Sequence, residues 1–98
     1  MSSPTLSDSE IDQALTELPG WTRSASGNVK TIQRLFEFPD FVQAVQFVNK
    51  AADVAEAANH HPDIDIRYNK VIMALTSHDS GGVTHRDIKM AKRINEIR

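Results

Sequence analysis

The stretch Asp63-Ile64-Asp65-Ile66-Arg67-Tyr68 alternates strictly between polar and apolar side chains. A period of two is the signature of a β-strand, here with Ile64, Ile66 and Tyr68 facing one way. Asn69-Lys70 follows as a tight turn, although Asn-Gly would be the stronger turn signal. Val71 to Ser77 then reads as the partner strand. Its apolar residues fall on both faces, which argues for a central place in a sheet. A hairpin of this kind needs a cover for its apolar side, and the residues before it supply one. Pro39-Asp40 opens the longest helical pattern in the chain, with Phe41, Ala44, Val45, Val48, Ala51, Ala52 and Ala55 as one apolar stripe. The alanines after position 50 let that helix lie close against its neighbour.

The rest of the chain repeats the theme. Ser7 with Glu10 forms a capping-box pattern, and Ile11, Ala14, Leu15 and Leu18 continue it at helical spacing until Pro19-Gly20. Trp21 to Arg23 reads as the start of a strand, Ser24 to Asn28 as a turn, and Val29 to Phe38 as a second strand. In that second strand Ile32, Arg34, Phe36 and Phe38 share one side, with Leu35 on the other. Thr84 with Asp87 begins the last helix, carried by Ile88, Met90, Ala91, Ile94 and Ile97. The predicted order is α-β-β-α-β-β-α. Short connections favour antiparallel pairing, so the fold class is α+β: a two-layer sandwich of a four-stranded antiparallel sheet with three helices on one face. At 98 residues the chain fits one domain, read as 7–98 behind a loose tail at residues 1–6. A core of this size leaves a modest stability margin, which oligomerisation commonly supplements.

Composition removes several functions. The net charge of -2 offers no field for a polyanion. Lys89, Lys92, Arg93 and Arg98 gather late, but Asp87 and Glu96 interleave with them, and the group reads as a solvated helix face. Nucleic acid is therefore not expected as a partner. With no cysteine there is no thiolate chemistry and no disulfide. No apolar run reaches membrane-spanning length and the N-terminus does not resemble a signal peptide, so no membrane partner is expected and a cytoplasmic location is the default.

What remains is a histidine cluster. His60 and His61 stand where the long helix stops at Pro62, and His78 stands where a strand runs into Asp79-Ser80-Gly81-Gly82. Pro62 cannot continue the helix and disfavours helical geometry at His61. His61 is then extended, with His60 at the last turn or just beyond it. Imidazole moves protons near neutral pH, and histidines from two elements can supply one acid and one base. Each residue also has a plainer reading. Adjacent histidines often just meet terminal carbonyls, Asp87 alone is a helix cap, Glu56 alone is a surface residue, and His85 reads as surface. A zinc site from His60, His61, His78 and Asp79 is the other chemical reading. Neighbouring histidines at an extended turn point apart, whereas zinc motifs place ligands one helical turn apart, so no metal is expected.

Taken in order, Glu56-x-x-x-His60-His61-Pro62, Tyr68-Asn69-Lys70-Val71, Thr76-Ser77-His78-Asp79 and Thr84-His85-Arg86-Asp87 resemble the pterin-4a-carbinolamine dehydratases. Leu18-Pro19-Gly20-Trp21 and Phe36 with Phe38 extend the resemblance over most of the chain. His-His-Pro alone is a weak signal, whereas the ordered set is specific. The resemblance implies helices on one face of a four-stranded antiparallel sheet. It also implies dehydration of 4a-hydroxytetrahydropterin to quinonoid dihydropterin, recycling the cofactor of aromatic amino-acid hydroxylases, with no metal or organic cofactor. Carried over by position, His60, His61, His78 and Asp87 are the catalytic set. His60 and His78 act as acid and base, His61 holds the ring, and Asp87 orients a histidine. Substrate contacts fall on His60, His61, Pro62, Ser77, His78, Asp79 and Ser80, with Glu56 in support. Many members carry an aromatic residue where this chain has Ile64 and an acidic one where it has His85; the first bears on the pocket wall. The resemblance further implies a homodimer or homotetramer. Animal members also serve as dimerisation partners of a homeodomain transcription factor, so a non-catalytic binding or stabilising module on the same fold is the alternative function.

Overall fold

A computed structural model describes residues 4–97. The elements are α1 (Asp8–Leu15), β1 (Thr22–Ser26), β2 (Val29–Glu37), α2 (Phe41–Ala58), β3 (Asp63–Arg67), β4 (Lys70–Leu75) and α3 (His85–Ile97). The four strands form one antiparallel sheet in the order β1-β2-β4-β3, which places β4 inside it. Architecture and element order are those read from the sequence.

Register explains which face is covered. Ile32 pairs with Leu75, Arg34 with Met73 and Phe36 with Val71, so these side chains share one side. Ile32, Phe36, Val71, Met73 and Leu75 are all fully buried there under the helices, while Leu35 on the opposite face is half exposed. Ile11, Trp21, Ala44, Phe47, Ala51, Met90, Ala91 and Ile94 complete the core. The rings of Phe36 and Phe47 lie 4.6 Å apart, and Phe38 sits 5.0 Å from Phe47.

Local chemistry sets the ends of the elements. The Ser7 hydroxyl accepts from the Glu10 amide at 3.1 Å while the Glu10 carboxylate accepts from the Ser7 amide at 2.9 Å, completing the capping box. Asp40 caps α2 by accepting from the Gln43 amide. Asn59 ends α2 in the left-handed region at φ 50°, and the His60 amide donates back to the Ala55 carbonyl. Of the tail expected at residues 1–6, the first three lie outside the described residues; beyond them, the Leu6 amide donates to the Val83 carbonyl at 2.8 Å.

Several local expectations are corrected. The turn expected over Ser24 to Asn28 is only Gly27-Asn28, and Ser24 to Ser26 belong to β1. Gly27, with its φ of +62°, lets the chain reverse in two residues. The second hairpin turns on Tyr68-Asn69 rather than Asn69-Lys70, because Arg67 pairs with Lys70. Tyr68 is thus a turn residue, and the Asn69 side chain anchors the turn on the Phe38 carbonyl. The buried face of α2 is rotated from the expected stripe. Phe47 is buried, whereas Phe41 is 48% exposed and Ala52 is exposed. The alanine-rich stripe allowed more than one face to be drawn, and Phe47 fills the gap beside Phe36 and Phe38.

Candidate active site

The C-terminal end of α2, the β4–α3 loop and the first turn of α3 meet at one corner of the molecule. Asp87 is its anchor. This carboxylate is completely buried, and each of its oxygens is engaged. Oδ1 lies 2.5 Å from His60 Nε2. Oδ2 accepts from the Ser77 hydroxyl at 2.9 Å and from the Thr84 amide at 2.9 Å. The Thr84 hydroxyl lies 2.9 Å from Ser77 Oγ and accepts from the Arg86 amide at 3.2 Å. With Ser77 donating to Asp87, Thr84 donates to Ser77, and both hydroxyl donors of this network have an acceptor. The cap of α3 and the orientation of His60 are therefore the same carboxylate. With Asp87 as a carboxylate, which only accepts, the facing His60 Nε2 is the donor of this contact; in the neutral ring Nδ1 then keeps its lone pair.

His78 comes from a loop closed at its base. The Ser77 amide donates to the Gly82 carbonyl at 2.9 Å, and the Ser80 and Gly81 amides both return to the Ser77 carbonyl. Gly81 adopts a φ of +79°, which the tight reversal requires. Asp79 is tethered to Arg86 at 2.6 Å, and that guanidinium holds its carboxyl below the ordinary value of 3.8. Ser80 Oγ lies 3.4 Å from the same guanidinium. His61 lies past the helix end and is half exposed, its Nε2 2.7 Å from Glu56 Oε1. Both partners of that pair are in solvent, so it orients the ring with little energy.

A cavity of about 250 Å³ opens between these elements, lined by His60, His61, His78, Asp79 and Arg86 with Asn59 and Thr76 at its edge. Ligand pockets for drug-sized molecules start at about 300 Å³, so this one is small. All three predicted histidines reach it. Asp87 stands behind His60. The Ser77 hydroxyl turns inward onto Asp87, and Pro62, Glu56 and Ser80 lie outside the lining. Among the described residues no three His, Asp or Glu side chains gather as a metal would require. His60 and His61 face different carboxylates, as the extended turn predicts. Sequence reasoning assigned Arg86, Asn59 and Thr76 no role. An arginine in a helix's first turn opposes the dipole, and that misplaced charge is the signal for Arg86.

The pterin 4 alpha carbinolamine dehydratase profile matches residues 4–97. The chain belongs to that family. Two bacterial relatives carry the name "Putative pterin-4-alpha-carbinolamine dehydratase". One, from Koribacter versatilis, is 60% identical over 97% of each chain. The other, from Roseiflexus, is 51% identical over 94% of this chain and 95% of its own. A crystal structure from Brucella melitensis, titled a transcriptional coactivator/pterin dehydratase, superposes with a TM-score of 0.86 at 41% identity, covering 95% of this chain and 97% of that one. A pterin dehydratase-like protein described as a RuBisCO assembly factor in the alpha-carboxysome shares the fold alone, at 18% identity and a TM-score of 0.66 over 80% of this chain and 88% of its own.

Proposed function

We propose that this chain dehydrates 4a-hydroxytetrahydropterin to quinonoid dihydropterin, with histidines as the only proton carriers. The observation that carries the reading is the buried Asp87–His60 pair opening on a cavity shared with His61 and His78. In the reaction the C4a–O bond breaks, the hydroxyl leaves as water after taking a proton, and the adjacent N–H gives up its proton as the C=N bond forms. One group must donate and one accept. His60 is the acceptor, because Asp87 fixes its tautomer and stabilises the imidazolium that forms. His78, on an exposed loop in exchange with water, is the donor. His61 holds the ring, and Asp79 and Arg86 shape the edge of the site. Proton transfer of this kind contributes about 10²–10⁴ in rate.

The product is the form that a pterin-dependent aromatic hydroxylase needs returned for reduction, which supports a recycling role. No helix among the described residues is long and apolar enough to cross a membrane, in keeping with a cytoplasmic setting for that recycling. The same reading includes a homo-oligomer of one folded unit spanning 7–98. Phe41 and Val42 are 48% and 62% exposed on α2, and β3 is an edge strand presenting Ile64 and Ile66 at 37% and 39% exposure, so both offer surface for self-association. The α2 surface is also where the alternative, a binding module, would dock its partner. Stopped-flow decay of enzymatically generated 4a-hydroxytetrahydropterin tests the assignment. Acceleration by the purified chain is expected, and decay at the spontaneous rate would leave only the binding module.

A further inference from the structure

On the other side of His60 lies a second cavity, of about 330 Å³, that the dehydration chemistry does not use. The first three turns of α3 project Arg86, Lys89 and Arg93 into it at spacings of three and four, so they share one helical face. Ala57 and Ala58 of α2 form the opposite wall and, being small, keep it open. No carboxylate lines it. Lys89 and Arg93 enter no ion pair among the described residues. Arg86 offers its Nη2 to Asp79, but its Nε is buried with no hydrogen-bond partner. Lys89, Lys92 and Arg93 are exposed, as a solvated basic face requires, and Lys89 and Arg93 also border this open cavity.

His60 and Arg86 belong to the linings of both cavities and are their common wall. We propose that the basic cavity takes an anionic group, phosphate or carboxylate, on the side chain of the reduced pterin whose ring sits against the three histidines. This rests on the dehydratase reading for the ring. Guanidinium and ammonium donors bind such anions through charge-assisted hydrogen bonds, and the preferred substrate class is therefore a pterin with a charged tail rather than a neutral one.

The test is a calorimetric titration of the full chain with 7,8-dihydroneopterin, its phosphate ester and 7,8-dihydrofolate, repeated with the double variant Lys89→Ala/Arg93→Ala. Both side chains are exposed, so the variant should fold, and circular dichroism checks it. The expected result is binding of one or both charged pterins about ten- to a hundred-fold tighter than the neutral one, weakening with salt, with the difference lost in the variant and restored by Lys89→Arg/Arg93→Lys. Preference for the ester alone fixes the class as phosphate, and preference for dihydrofolate alone fixes it as carboxylate. Equal affinity for charged and neutral pterins, or a preference that survives the variant, overturns the anion site while leaving the ring site standing. Absence of binding by all three overturns the dehydratase reading and the tail assignment together.

Discussion

Replacing Asp87 with asparagine isolates the electrostatic half of the site from its shape. The carboxylate is fully buried and accepts at both oxygens from three donors: His60 Nε2, Ser77 Oγ and the Thr84 amide. Alanine here would strand all three donors, each at about 1–3 kcal/mol. That loss competes with the whole stability of a domain, about 5–15 kcal/mol, so Asp87→Ala should unfold and teach little. Asparagine keeps the volume. Its oxygen can still accept from Ser77 and Thr84, though charge assistance, which roughly doubles such bonds, is gone. Its amide nitrogen then faces His60 Nε2 as a donor. Two donors cannot share that contact, so His60 must move its proton to Nδ1 and lose the lone pair assigned to catalysis. The stability cost is about 1–3 kcal/mol, and each kcal/mol lowers Tm by about 4–8 °C in a domain of this size. The rate should fall by about 10²–10⁴. Thermal unfolding by circular dichroism, ¹⁵N imidazole shifts and the dehydration assay give fold, tautomer and rate separately. A folded Asp87→Asn protein with the His60 tautomer reversed and the wild-type rate would rule out His60 Nδ1 as the proton acceptor.

Three further outcomes follow from the same geometry. Gly20→Ala should destabilise by about 2 kcal/mol in urea unfolding, because φ is +88° and a Cβ would come within 2.5 Å of Arg34 Nε. His61→Ala should weaken pterin binding while Glu56→Gln changes it little, since that pair stands in solvent; comparable effects from both would count against the ring-holding role. The Asp79 carboxyl, held down by Arg86, keeps the loop tether above its ordinary value of 3.8 and loses it as pH falls below that value. Acid titration of the Asp79 side chain by NMR should show the depressed pKa in wild type and its return toward 3.8 in Arg86→Gln.

Where periodicity and punctuation agree, the chain can be read directly. The alternation before Tyr68, the Ser7–Glu10 box and Pro62 each constrain backbone through side-chain sterics or a single hydrogen bond, and each element they imply is present. Misplaced details lie where sequence leaves a choice that packing makes. Helix α2 could have buried either side of its alanines, and Phe47 decided it by meeting Phe36 and Phe38. At the site, residue types and order pointed to His60, His61 and His78. The inward turn of Ser77 and the cavity position of Arg86 depend on how the β4–α3 loop closes, which no local pattern encodes.

In the proposed elimination His60 and His78 divide the two proton transfers. The most direct test of that division is the rate of 4a-hydroxytetrahydropterin decay with wild type, His60→Ala, His78→Ala and the double variant, each checked for fold and pterin binding. Each single variant is expected to lose about 10²–10⁴ in rate and the double little more, because acid and base act on one concerted elimination. Binding-competent single variants that retain the wild-type rate would contradict that division.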